Sequence, residues 1–353
     1  MKILQLNVEK GWRGGERQTL YCMQSFKQLG HEVELVARSG QPLAIKARQE
    51  GFVVHEVPGA AAQVKFLALH ARRYDIVHAQ TANSVTWAVL TKWMHRRPIV
   101  FSRRTSFPVK PRHQWKTNFK WRCVDQIVAI SEMAASEPRR LNIEPVIIRS
   151  AIAPVASQPT RVAELIEEFD LHGKRLVATS AAVIADKDPE TMIRAVAILA
   201  RERQDFVFIH FGAPGNRQEQ AQALIAELGL QKIYHLAGFR AGVEHYYDVM
   251  DCFTMSSREE ALGSSVFDAF VRKVPVVSTD AGGLAESLSG GRGLLCQVGD
   301  APALARAIAR VLDCEPSVTR MTERAYSYVR REHDVNRMGQ RYIDRFQAVI
   351  DRR

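Results

Sequence analysis

The chain has 353 residues, 46% of them apolar and 25% charged, a composition that suits a folded globular protein and a length that suits two cores. No apolar run approaches the ~18 residues of a membrane-spanning helix, so an integral membrane protein is not expected. The net charge of +11 is lopsided: residues 1–150 hold 24 Lys/Arg against 11 Asp/Glu, so the whole positive excess lies in that half.

Met1-Lys-Ile-Leu-Gln-Leu-Asn7 alternates like a strand and carries no small-residue cleavage site, so no signal peptide is expected. Short β-branched runs follow at Glu32–Ala37, Val53–Val57, Ile76–Ala79, Pro98–Ser102 and Gln126–Ile130. Helical stretches lie between most of them, such as Gln18–Leu29 and Leu43–Glu50, each ended by a glycine. Ser150-Ala-Ile-Ala-Pro-Val-Ala-Ser-Gln-Pro159 has few large side chains and reads as a linker. A second series has strands at Leu176–Thr179, Val207–Phe211, Tyr234–Ala237, Cys252–Met255, Val274–Ser278 and Gly293–Cys296. Its helices include Thr191–Glu202, Arg217–Leu228, Ser265–Arg272 and Ala301–Leu312, and Thr319 to Arg353 is a charge-rich helical tail. The alternation predicts an α/β protein with two doubly wound, Rossmann-like domains. Their expected boundaries are 1–155 and 156–335. The five cysteines are scattered and odd in number, which suits thiols in a reducing cytoplasm better than disulfides or a zinc site.

The most informative stretch runs from Ser257 to Asp280-Ala-Gly-Gly283. Glu260 and Asp268 are separated by seven residues, with Gly263, Ser264 and Ser265 after the first acid and Gly282-Gly283 beyond an apolar strand. Carboxylates accept hydrogen bonds from hydroxyls, and glycine turns let backbone amides approach phosphates. Gly14 and Gly15 sit between the first strand and the first helix, where amide donors are free. His78 and Gln80 end a strand, at the sheet edge where doubly wound folds bind ligands. Asp186-Lys187-Asp188-Pro189 follows a strand; Asp-Pro is an ordinary helix start, so an Asp-x-Asp metal site is set aside in favour of Lys187 as a phosphate cation.

These motifs resemble the GT-B glycosyltransferases of family 4, over nearly the whole chain and most strongly at residues 1–20, 75–80 and 173–312. The resemblance implies a retaining, metal-independent transferase with two domains facing a cleft and a C-terminal helix, 336–353, that crosses back. It implies a nucleotide-diphosphate sugar as substrate, UDP or GDP, and no cofactor. Glu260 would hold the sugar, Asp268 the ribose, Lys187 the diphosphate, and the Gly14-Gly15 turn the phosphate or sugar edge. His78 and Gln80 would join Glu260 and Lys187 as catalytic residues. The chain departs from the family pattern at Gln80, where a second His is usual, and at Ala181-Ala182-Val183 in place of Gly-Arg-Leu. It also has Asp268 in place of Glu, and Ser150-Ala-Ile-Ala153 in place of Asn-Gly-Val-Asp. A sugar-nucleotide epimerase of similar fold and a non-catalytic sugar-nucleotide or glycan binder stay open as alternatives.

Between Asp75 and Asp125 there is no acid, while ten Lys/Arg and four of the five Trp occur. Arg103, Arg104, Lys116, Lys120, Trp121 and Arg122 are therefore expected on a face for an anionic acceptor or an anionic membrane. A solvated surface is the plain alternative, and no nucleic-acid motif accompanies the stretch. The resemblance adds a glycan or glycolipid acceptor in lipopolysaccharide or other envelope polysaccharide synthesis, at the inner face of the cytoplasmic membrane.

Overall fold

The computed structural model describes residues 1–352 and divides the chain into two compact units. One is Met1–Ala153 together with the chain from Glu332 onward; the other is Pro154–Arg331.

The N-terminal unit holds a parallel seven-stranded sheet. Its strands are β1 (Lys2–Asn7), β2 (Glu32–Arg38), β3 (Val53–Val57), β4 (Ile76–Ala79), β5 (Ile99–Arg103), β6 (Gln126–Ala129) and β7 (Val146–Ile147), in the order β3-β2-β1-β4-β5-β6-β7. β7 has two residues, too few to show a period in the sequence. β1 alternates apolar and polar residues, yet Ile3 to Asn7 are all buried, because helices cover both faces of the sheet. Its polar residues must then be satisfied inside. The Asn7 amide donates to Thr19 Oγ1 at 2.9 Å and to Glu16 Oε1 at 3.3 Å.

The first helix, Gly14–Gln28, starts four residues earlier than its apolar pattern predicts, so the double glycine forms its first turn. The last helix, Val335–Ile350, packs on it. Phe26 meets Phe346 at 5.5 Å and Tyr342 at 6.0 Å, both edge-on, and Gly339 lies against Ser25 with no room for a Cβ. At the start of that helix, His333 donates through Nδ1 to Ser150 O at 2.6 Å and accepts from Ile152 N at 2.8 Å through its carbonyl. The departure at Ser150–Ala153 is therefore tied to the returning chain.

The second unit has six parallel strands: β8 (Arg175–Ser180), β9 (Phe206–Phe211), β10 (Tyr234–Gly238), β11 (Cys252–Met255), β12 (Val276–Thr279) and β13 (Leu294–Cys296). Their order is β10-β9-β8-β11-β12-β13. The core cluster joins β9 to the helices Pro189–Glu202 and Ala301–Leu312 through Ile193, Val196, Phe208, Leu304 and Ile308. In both sheets the winding reverses beside the first strand, between β1 and β4 and between β8 and β11. Loops leaving the carboxyl ends of those strands form the crevice where such folds take ligands. No helix among the described residues is long and apolar enough to cross a membrane.

Phe346→Ala should lower the unfolding free energy of the N-terminal unit by about 3–5 kcal/mol, because it removes a wholly buried ring from a closed helix contact. Urea unfolding followed by tyrosine and tryptophan fluorescence reads the loss.

Candidate functional site

At the reversal point of the second unit, the loop after β8 carries Lys187. Two features below the loop fix it. His210, in β9, has a carbonyl beside one ring nitrogen and a hydroxyl beside the other: Nε2–H donates to Ala181 O at 2.9 Å, and Nδ1 accepts from Tyr234 OH at 2.9 Å. Gly212 presses on Ala181 where a Cβ would strike its carbonyl. The chain then makes a single 3₁₀ turn, Ala185–Lys187, and Asp188 adopts a left-handed conformation with φ +44°. Asp188 Oδ1 accepts from Thr191 N and Oδ2 from Thr191 Oγ1 at 2.7 Å, capping the helix that opens at Pro189. Asp188 is thus a cap, and no cluster of His, Cys, Asp or Glu among the described residues is arranged to hold a metal.

The loop after β11 lies against this turn. Ser256 Oγ donates to the carbonyls of Lys187 (3.0 Å) and Asp188 (2.9 Å), Arg258 N to Asp186 O (2.8 Å), and Arg258 Nε to Asp188 Oδ2 (2.9 Å). This clasp brings the Lys187 ammonium onto the Glu260 carboxylate, both only partly exposed. Glycines close the other side. Gly283 N donates to Glu260 O at 2.8 Å, and Gly283 is so tight on the Ala261 carbonyl that a Cβ would not fit. Gly263 (φ +74°) and Gly282 (φ +50°) take backbone angles that side chains resist, and each opens a helix. The helix after Gly263 is Ser264–Val271; it presents half-buried Ser264 and Ser265 at its start and half-buried Asp268 one turn on. A cation, a carboxylate, free helix-start amides and a second carboxylate therefore share one sheet edge. That set suits a phosphate group joined to polyhydroxylated rings.

The N-terminal unit gives His78 a different place from the one expected. It is wholly buried, on β4, under Tyr342 and Phe346 of the last helix. Gln5 Nε2 donates to its Nδ1 at 3.0 Å, so its Nε2–H donates to Ser102 Oγ at 2.8 Å, and Ser102 Oγ bonds Tyr342 OH at 2.8 Å. Burial pushes its pKa well below the usual histidine value, and the nearby Arg104 charge adds to the effect. The expectation of a catalytic His78 is corrected: it ties the last helix to the sheet. Gln80 is also buried, donating to Gln5 Oε1 at 2.8 Å and accepting from Arg104 Nε and Nη2 at 3.1 and 2.5 Å. What reaches the surface at this strand end is half-buried Arg104. Gly15 lies beside it, its Cβ position 3.9 Å from Arg104 Cδ. Glu16 bonds back to Arg13 N at 3.0 Å, and burial raises its pKa.

Three members of the expected basic face turn inward. Arg103 ends β5 and is buried, donating to Ala134 O at 3.1 Å and Phe107 O at 2.7 Å with its guanidinium 4.9 Å from the buried Trp121 ring. Burial lowers its pKa to about 10. Lys120 donates to Ala82 O at 3.3 Å and Thr86 Oγ1 at 3.1 Å. Arg103, Trp121 and Lys120 thus anchor the helix Gln114–Arg122, while Lys116 and Arg122 stay exposed. The outer face instead shows Trp115 and Phe119, 69% and 67% exposed.

Residues 163–328 match the family described as Glycosyl transferases group 1, and residues 12–153 match Glycosyltransferase Family 4. The solved structure of Anabaena Alr3699/HepE in complex with UDP and glucose superposes with a TM-score of 0.87 at 18% identity, covering 99% of this chain and all (100%) of that one. The fold is GT-B. Among curated proteins, the lipopolysaccharide core biosynthesis glycosyltransferase LpsE of Rhizobium meliloti is 28% identical over 152 residues, 43% of each chain. The lipopolysaccharide core biosynthesis mannosyltransferase LpcC of Rhizobium leguminosarum bv. viciae is 23% identical over 272 residues, 75% of this chain and 76% of that protein. The matches to the first two curated relatives thus span 43% and 62% of their lengths.

Two positioning residues of this GT-B chain were missed in the sequence, Gln5 and His210. Each is a polar residue between apolar neighbours in a strand, Leu4-Gln5-Leu6 and Ile209-His210-Phe211. That pattern marks a buried polar group in need of partners.

Burial holds the pKa of His210 down to about 4. The protonated form is favoured in the unfolded chain, whose histidines titrate near 6.5, so the stability from neutral His210 is complete above that pH and is lost as pH falls toward 4. Wild-type protein should lose stability over this window at up to about 1.4 kcal/mol per pH unit more than His210→Gln. Urea midpoints at pH 7 and pH 5 measure the difference.

Proposed function

We propose that the protein moves a sugar from a nucleotide-diphosphate sugar, with UDP or GDP as the nucleotide, to a hydroxyl of a glycan or glycolipid acceptor, with retention of configuration. The observation that carries this reading is the Lys187–Glu260 pair, clasped between two loops at the reversal point of the second sheet and bordered by close-packed glycines. Donor binding would exchange partners. The diphosphate takes the Lys187 ammonium, and the freed Glu260 carboxylate accepts hydrogen bonds from sugar hydroxyls. Asp268 takes the ribose hydroxyls. When the bond from the anomeric carbon to the phosphate oxygen breaks, its electron pair leaves on the diphosphate. Lys187 and the amides at Ser264 and Ser265 face that growing charge, a role a divalent metal fills in other transferases. The names of the lipopolysaccharide-core relatives favour an envelope polysaccharide as the product.

Lys187→Ala should keep the fold and lower turnover by about 10²–10³. Near wild-type turnover would remove Lys187 from the phosphate. Glu260→Gln should lower kcat more than it weakens nucleotide binding; the opposite split, with UDP and GDP binding abolished, would exchange the two roles.

We further propose that the protein works on the cytoplasmic side, in peripheral contact with an anionic membrane through the helix Gln114–Arg122. Trp115 and Phe119 are one turn apart on its outer face, with Lys116 and Arg112 exposed beside them, and Trp93 is 75% exposed on the short helix Lys92–His95. Aromatics at an interface beside cations suit anionic headgroups. Trp115→Ala with Phe119→Ala should weaken binding to phosphatidylglycerol vesicles about tenfold or more, whereas Lys120→Gln should change it little. Equal sedimentation of the double variant and the wild type would return this face to a solvated surface.

A further inference from the structure

Arg104 is the first residue beyond β5, and its guanidinium ends the buried chain that runs through Gln80, Gln5, His78 and Ser102 to Tyr342. Each link donates toward the next as far as Ser102, starting from the cation. The acceptor for the cation is a neutral amide oxygen, bonded by Nε and Nη2 together. Among the described residues, Arg104 makes no ion pair with a carboxylate. Glu16 is the acid that feels its charge, but the Glu16 carboxylate is buried and committed to Asn7 and to Arg13 N. The buried Cys22 thiol is a second side-chain hydrogen-bond partner, and neutral His78 and the Tyr342 phenol lie in its field.

A half-buried cation without a counter-ion loses hydration that a neutral amide does not replace. Two of its five N–H groups are used on Gln80 and one is turned to the Cys22 sulfur, which leaves two on the planar guanidinium. The place also matters. Gln80 follows β4, Arg104 follows β5, and Gly15, after β1, leaves open the space beside the Arg104 stem. These are the loops of the reversal between β1 and β4, the ligand crevice of a doubly wound unit. The residue at 80 is decisive. A carboxylate there would neutralise Arg104, and a histidine would offer no two-lone-pair oxygen to hold Nε and Nη2 together. An amide fixes the guanidinium and leaves its charge intact at any pH.

We infer that Arg104 is an anion receptor: held by Gln80, it binds a phosphate or carboxylate group of the acceptor at the crevice of the N-terminal unit. That the anion belongs to the acceptor rests on the transferase reading; the receptor itself does not.

Methyl phosphate and propionate are suitable probes, titrated into the full chain carrying Lys187→Ala so that the other phosphate cation is gone. Binding is read by phosphorus line broadening for the first and by saturation transfer for the second. At least one probe should bind, and the stronger one identifies the source as phosphate or carboxylate. Adding Arg104→Gln should weaken that binding at least about tenfold. Adding Gln80→Glu should weaken it as much, although Arg104 then has a charged partner and the melting temperature holds. A structural Arg104 predicts the reverse for Gln80→Glu, namely unchanged binding. Binding of neither probe, equal binding in all three chains, or loss in Arg104→Gln alone would each overturn the receptor. Donor-sugar hydrolysis by the unaltered protein is scored separately. If it is absent while Gln80→Glu abolishes anion binding, the transferase reading fails and the receptor stands; if it is present while anion binding ignores both substitutions, the receptor fails alone.

Discussion

A strand in the middle of a parallel sheet has no wet face, so any polar side chain it carries must find its partners inside the protein. Both sheets of this chain meet that constraint in a way that reaches their functional edge. In the N-terminal unit, Gln5 on β1 cannot be solvated, and it is satisfied by His78 of the neighbouring strand β4 and by Gln80 just beyond it. In the second unit, His210 on β9 is satisfied by Tyr234 below and by the Ala181 carbonyl of the loop above. Removing either strand residue would leave buried donors and acceptors orphaned, and would also release the loop or side chain that the network positions.

The two edges are built alike but carry different chemistry. Each lies where the winding reverses beside the first strand, and each presents a cation. In the second unit the cation is Lys187, paired with Glu260 and framed by glycines that allow backbone to come close. In the N-terminal unit it is Arg104, paired with an amide. A paired cation exchanges its partner when a stronger anion arrives; an unpaired one attracts an anion directly. The same fold element thus carries a cation paired with a carboxylate in one unit and a cation held by an amide in the other.

The basic half of the chain shows how little a charge count says about direction. Arg103, Arg104, Lys116, Lys120 and Arg122 are spread over twenty residues without an acid among them. Arg103 and Lys120 hold carbonyls and a neighbouring helix, Arg104 meets an amide, and Lys116 and Arg122 face outward. Trp121 and Trp115 lie six residues apart on one helix, yet one is core and the other is 69% exposed.

The sequence by itself determined the two α/β units, because period-two apolar runs alternating with helical stretches admit few other architectures. Among the described residues, twelve of the thirteen strands were legible in this way, and the two-residue β7 was too short to register. It also determined the glycine and Asp-Pro turns around Glu260 and Lys187, since positive backbone angles and helix starts are local requirements. Only the tertiary structure decided that Lys187 lies against Glu260, 73 residues away. Only it decided that His78 is core while Arg104 is half-buried, and that the aromatic face of the helix Gln114–Arg122 is Trp115 and Phe119. The physical reason is the same in each case. Burial and pairing depend on what arrives from elsewhere in the chain, Tyr342 over His78 or Arg258 over Asp188, and no local pattern encodes that arrival.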